Sequence, residues 1–335
     1  MRRLLPIVAS IAVGALVLTG CGSGPSRIGA AAIVGDQVIT VDDIQARLRT
    51  AAPDLREAVD RQGAAQGVAP GAPLPPEVLP SESRRLVTVR VLHELIAEQS
   101  RRDGIVVPPQ RVDAALAAVG GAEAAARGSG FDPATIRELV GDQLAAADIG
   151  RREFDRLSVT IDYATAPNRA LAQELAERVA ADPARAPALF AGLPAGSGAS
   201  DLALRPGADQ GAGVQASASS LLFGLPAGTV AVTSSGSGSN SEQASDPATS
   251  PWTVINVRER RLDAPPPAGT IVPAAQVDDQ TMFGFGLRLL QPLALELGVT
   301  VNPRYGTWDP TQLDVVETPA AAGSVIPVRA PAAAP

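Results

Sequence analysis

The stretch from Leu86 to Val119, LVTVRVLHELIAEQSRRDGIVVPPQRVDAALAAV, constrains the fold more than any other. Leu86, Val89, His93 and Ile96 recur at helical spacing with Leu92 and Leu95 beside them, and a stripe this broad needs partners on more than one side. Arg101 and Arg102 place cations in the last turn, and Gly104 supplies a residue able to turn left-handed. Ile105 to Val107 read as extended, and Pro108 and Pro109 open a second helix. The first of these helices is therefore a hub on which the neighbouring segments must pack.

Upstream, Arg2 and Arg3 precede an apolar run from Leu4 to Leu18, shorter than the ~20 residues that span a bilayer, so residues 1–20 read as a cleaved leader. Leu18-Thr19-Gly20-Cys21 resembles the bacterial lipobox, in which small residues admit the peptidase and the cysteine sulfur receives a diacylglyceryl group. That resemblance implies lipid attachment at Cys21 and a tether over 21–30; the alternative is an ordinary cysteine beside a secretory cleavage site. Ile33 to Ile39 alternates about Gly35-Asp36, a hairpin signal, and Thr40 caps a helix from Val41 to about Thr50, followed by a second from Pro53 to Arg61. Residues 63–80 have neither period and read as a loop, with Ser81 capping the hub helix. Asp132 and Pro133 start a further helix whose face carries Ile136, Leu139, Val140 and Leu144, running as far as Leu157.

From Ser158 the pattern changes. Val159 to Tyr163 reads as a strand, Asn168 to Ala181 as a helix and Ala186 to Leu193 as a shorter one, and Trp252 to Arg258 as a strand. Residues 195–220 and 233–251 are rich in Gly, Ser and Ala and read as loops, and 318–335 as a disordered Ala/Pro tail. Thr281 to Leu297 is apolar and helical with a break near Pro292.

The order of helix, Leu95-Ile96, Arg101-Arg102, Gly104-Ile105-Val106-Val107 and second helix resembles the SurA-like and PrsA-like extracytoplasmic folding factors, as does Ala32-Ile33-Val34-Gly35-Asp36-Gln37-Val38-Ile39-Thr40. Strand, helix, short helix, Leu225-Pro226-Ala227-Gly228-Thr229-Val230 and strand resembles a parvulin-type prolyl isomerase domain. Together these imply a mainly α protein: a discontinuous helical chaperone domain at 31–157, an inserted α+β parvulin-like domain at 158–262, and a C-terminal helix with an extended segment at 263–317 returning to the first domain. The paired histidines of active parvulins are missing, with Thr253 standing where the second is expected, so the resemblance implies peptide binding without catalysis.

Composition narrows the chemistry. All 28 cations are arginine, which excludes lysine Schiff bases and the lysine of a phosphate-binding loop. A net charge of −7 with only short arginine pairs opposes nucleic acid, and one cysteine permits no internal disulfide. His93, the sole histidine, lies on an apolar helix side with no nucleophile nearby in sequence and reads as structural. Asp42-Asp43 and Asp278-Asp279 lack the spaced ligands of a calcium loop and read as charges at helix starts. Gly284 and Gly286 form no dinucleotide fingerprint. The candidate client contacts are Phe223, Leu225, Met282, Phe283 and Phe285, soft or aromatic groups that adapt to varied apolar partners. The expectation is a lipid-anchored chaperone on the outer face of the bacterial cell membrane that binds unfolded or newly exported proteins, with no cofactor, metal or nucleic acid. The alternatives are a prolyl isomerase with an atypical site and a lipoprotein for one ligand or envelope partner.

Overall fold

The computed structural model describes residues 27–65, 71, 73–194, 196–208, 213–234 and 251–328; the leader and Cys21 lie outside them, as do 235–250 of the second Gly/Ser-rich segment. β1 (Ala30–Val34) and β2 (Gln37–Thr40) form the hairpin, with Gly35 at φ 55° in its turn. Thr40 Oγ1 accepts the amide of Asp43 and starts α1 (Val41–Ala65). The two expected helices are one, running through Pro53 and into residues read as a loop. Pro53 is exposed, so its ring meets no packed neighbour, and Asp54 beside it fixes the next turn by accepting the amide of Gly130 at 3.1 Å.

The hub, α2 (Val78–Asp103), begins before Ser81, which is no cap: its hydroxyl donates back to Val78 O at 2.9 Å. Its buried stripe is Leu86, Val87, Val91, Leu95 and Ile96, so Val89 and His93 lie at the margin rather than the centre. Gly104 ends the helix at φ 65°, as its sequence predicts. α3 (Pro109–Ala118) and α4 (Ala122–Ala126) lead to α5 (Pro133–Glu153), capped by Asp132 accepting from Thr135 N at 2.9 Å.

β3 (Ser158–Ala166), α6 (Arg169–Ala181), α7 (Ala186–Ala191), β4 (Gly198–Leu204), α8 (Gly213–Ala218), β5 (Thr229–Ser234) and β6 (Trp252–Arg261) follow. α9 (Asp279–Leu289) and α10 (Gln291–Leu297) break at Leu290, one residue before the pair Gln291-Pro292. β7 (Val299–Val301), β8 (Thr307–Asp309), β9 (Asp314–Val316) and β10 (Ser324–Pro327) complete the described chain.

The expectation of a mainly α protein is corrected: about half of the described residues are helical and one fifth strand, in sheets of three, five and two strands ordered β2-β1-β7, β10-β5-β6-β3-β4 and β8-β9. Four strands were not read as such: β5 and β9, together with β4, from a segment read as a loop, and β10, from the segment read as a disordered tail; β4 and β10 share a cause. Both are edge strands, paired to β3 and β5 respectively, and take their order from a neighbour's backbone hydrogen bonds rather than from bulky side chains of their own.

The large sheet is covered on both faces. Ala172, Leu175, Val179 and Phe190 of α6 and α7 pack on Ala164, Trp252 and Val254. On the other face Val159, Ile161, Ile255 and Val257 belong to the same core as Leu86, Leu95, Ile149, Phe285 and Leu290. The sheet is therefore a middle layer: one face shares the core of the helical part, and the other builds a second core with α6 and α7. α5 and α9 cross at two glycines, where a side chain on Gly286 would strike the carbonyl of Ala146 and one on Gly150 that of Met282. Nearby, Phe285 meets Phe154 edge-on at 5.2 Å and Phe223 at 6.1 Å.

Candidate functional site

The structure does not present the expected client contacts on its surface. Phe223, Leu225, Met282 and Phe285 are fully buried and Phe283 is half-buried, all packed in or against the central core. Their apolar character serves the α9 seam, because side chains that adapt to varied partners also fill an interior.

Thr253 does not stand in an open cup. It lies in register with Thr233 and Thr165 across β5, β6 and β3, and strand alternation puts this row on the face that carries Ile255 and Val257. The turn between β8 and β9 stands over that face: Gln312 Nε2 donates to Thr233 Oγ1 at 3.0 Å, and Thr311 Oγ1 lies 3.3 Å from it. Buried Asp309 holds the turn, accepting from Thr311 N at 2.7 Å and from Gly323 N at 2.9 Å. Leu313 takes φ 57°, a conformation unusual for a side chain of its size, and sinks into the core.

His93 belongs to an ionic layer between α1, α2 and α5. Its Nδ1 lies 2.9 Å from Asp142 Oδ2 and its Nε2 3.3 Å from Glu138 Oε1, while Arg90 bridges Glu138, Glu94 and Asp43, and Arg47 reaches Asp43 and Glu138. The hydrogen bond to Asp142 raises the imidazole pKa above its ordinary value; burial opposes this, the charges of Asp142 and Glu138 add to it and Arg90 subtracts. A group with a raised folded-state pKa contributes its full stabilisation below the unfolded value of about 6.5 and loses it as pH climbs through the folded value. The folding stability should therefore fall as pH rises above about 6.5 relative to a His93→Gln variant, by at most ~1.4 kcal/mol per pH unit. Parallel pH profiles for the two chains would show that this linkage is absent.

The acidic pairs are likewise structural. Asp43 pairs with Arg47, and Asp278 caps α9 by accepting from Thr281 N at 2.8 Å, while Asp279 pairs with Arg151. Among the described residues no group of three or more His, Cys, Asp or Glu is placed to hold a metal, and no helix is long and apolar enough to cross a membrane.

An open feature among the described residues lies elsewhere, in a groove of about 570 Å³ between α10, β7 and β8. Val299 and Val301 form one wall, Trp308 and Pro310 the other, with Pro303 and Pro319 at its margins and Glu317 as its single carboxylate. Gly35 N–H donates to Gly298 O and Asn302 N–H to Ala31 O, at 3.1 and 2.8 Å. These bonds assign 298, 300 and 302 to the hydrogen-bonded pairs with β1, so alternation turns the N–H and C=O of Val299 and Val301 outward. β7 and β8 each have one strand neighbour, β1 and β9, so among the described residues each keeps one edge without a strand partner. Sequence reasoning read 298–308 as a turn and an extended segment and did not see the groove. The available signal was an aromatic, Trp308, set among Pro303, Gly306 and Pro310 where a core helix had just ended.

No family model matches the sequence, and neither curated proteins nor solved structures give a match.

Proposed function

We propose that this chain is a membrane-anchored extracytoplasmic holdase, which binds extended apolar segments of unfolded or newly exported proteins without catalysis. The observation that carries the reading is the groove: an unpaired edge on β7, an unpaired edge on β8 and a half-buried indole between them. An incoming strand satisfies its backbone at such an edge whatever its sequence, while apolar walls reward alternate side chains. Glu317 favours a segment that carries arginine or lysine beside its apolar residues. The folding-factor resemblance of 32–40 and 86–119 supports the same reading, as does the order of elements from β3 to β6. Anchoring through Cys21 keeps the groove at the membrane, where exported chains emerge.

Isomerase chemistry has less support, because the turn at Thr311 and Gln312 stands over the threonine row. The mature chain with Cys21→Ser should not accelerate cis/trans exchange of an X-Pro peptide.

The holdase reading is tested by light scattering of a thermally unfolding model protein in the presence of the mature Cys21→Ser chain. Suppression near stoichiometric ratios is expected, with His93→Gln as effective as the parent and Trp308→Ala several-fold weaker. No suppression over a wide range of ratios would overturn the reading.

A further inference from the structure

A second, smaller cavity of about 190 Å³ opens between α1, α2 and the turn that follows β7. Ile44 and Leu48 form its apolar floor, and every other residue that lines it brings a donor: Gln45, Arg49, Ser83, Arg304 and Tyr305. No carboxylate lines it, in a chain whose net charge is −7. Arg49 and Arg304 form no ion pair with any described residue, whereas Arg47 and Arg90 nearby are committed to Asp43 and Glu138. Tyr305 is 5% exposed and its hydroxyl has no hydrogen-bond partner. Buried hydroxyls are nearly always satisfied, so an orphan at the wall of a cavity marks a place where an acceptor belongs. Burial pushes the Tyr305 phenol above its usual pKa and Arg304 draws it partly back, so at neutral pH it is a protonated donor.

The turn that carries Arg304 and Tyr305 is fixed. Asn302 Nδ2 donates to Ala30 O at 3.1 Å, its Oδ1 accepts from Arg304 N at 3.1 Å, and its carbonyl accepts from Tyr305 N at 2.8 Å. The cavity is thereby bound to the start of β1. The segment from Cys21 to Ala30 spans at most about 30 Å when extended.

We propose that this cavity binds a phosphate group, with the Tyr305 hydroxyl and the Gln45 amide donating to its oxygens and Arg49 and Arg304 supplying the opposing charge. Guanidinium groups match phosphate geometry, and a site open to solvent on one side keeps the anion partly hydrated. The group arrives either as soluble phosphate or on the headgroup of an anionic phospholipid; the second source rests on anchoring at Cys21, while binding itself depends on neither that anchor nor the groove.

Two arms test this with the mature Cys21→Ser chain. In the first, inorganic phosphate is titrated while the melting temperature is followed; in the second, the chain is floated with vesicles of phosphatidylglycerol or of phosphatidylcholine. Tyr305→Phe removes only the orphan hydroxyl, so it should fold as well as the parent and bind about tenfold more weakly, and Arg49→Gln with Arg304→Gln should abolish binding. A phosphate-dependent rise in melting temperature lost in these variants supports the soluble source. Flotation with phosphatidylglycerol alone, lost in the same variants, supports the headgroup. Binding in neither arm, or binding that Tyr305→Phe leaves unchanged, overturns the proposal.

Discussion

Gly286→Val should destabilise the protein by about 3 kcal/mol or more. The added carbons point at the carbonyl of Ala146 and the amide of Gly150, both backbone atoms of α5, so no rotamer change relieves the clash and the helices must separate. Separation strips contact from Met282, Phe285 and Leu289 on one side and Ala146 and Ile149 on the other, all buried. The matched control is Gly141→Ala on the same helix α5, where nothing lies within 4 Å of the new methyl. That change removes the conformational cost of a helical glycine and should stabilise by about 0.5–1 kcal/mol. Urea denaturation of the three chains measures both effects. Equal small losses in the two variants would mean that α5 and α9 do not cross at these glycines.

Phe285→Ala should cost about 3–5 kcal/mol, and the form of the loss is as informative as its size. Phe285 meets Phe154 at the end of the α5 region and Phe223 before β5, so its ring joins the helical part to the sheet. Trp252 lies fully buried on the opposite face of that sheet, against α6, and in a Trp308→Phe background its fluorescence reports the layer on the far side of the sheet from α9. In a body that unfolds cooperatively across its two cores, the helical signal at 222 nm and the indole signal shift together to lower denaturant. An indole transition that stays in place while the helical signal moves would show that the large sheet unfolds on its own, as the separate domain expected from the sequence.

What was legible from the sequence was local. The stop at Gly104, the caps at Thr40 and Asp132, and the break before Pro292 are each written in one or two residues whose backbone preference suffices. What was not legible depended on distant partners. β4 (GASDLAL) mixes small residues and an aspartate with two leucines and β10 (SVIP) is four residues ending in proline, and only β3 and β5 make strands of them. Pro53 reads as a helix boundary, yet an exposed proline face and the hold on Asp54 let α1 continue. Phe223, Leu225, Met282, Phe283 and Phe285 show how little composition says about facing: the same side chains suit a client surface or an interior seam, and only the crossing at Gly150 and Gly286 decides. The groove escaped for the same reason, because its walls come from α10, β7, β8 and residues near 317–319 and no short motif carries them.

The central claim is that an extended apolar segment adds to the free edge of β7. Backbone amide exchange tests it most directly, residue by residue, in the mature Cys21→Ser chain with and without a saturating apolar peptide that carries one arginine. The account predicts slower exchange at Val299 and Val301, whose amides face the groove, and no change at Thr300, already paired with β1. Peptide binding that leaves Val299 and Val301 unprotected, or that protects another surface instead, would contradict it.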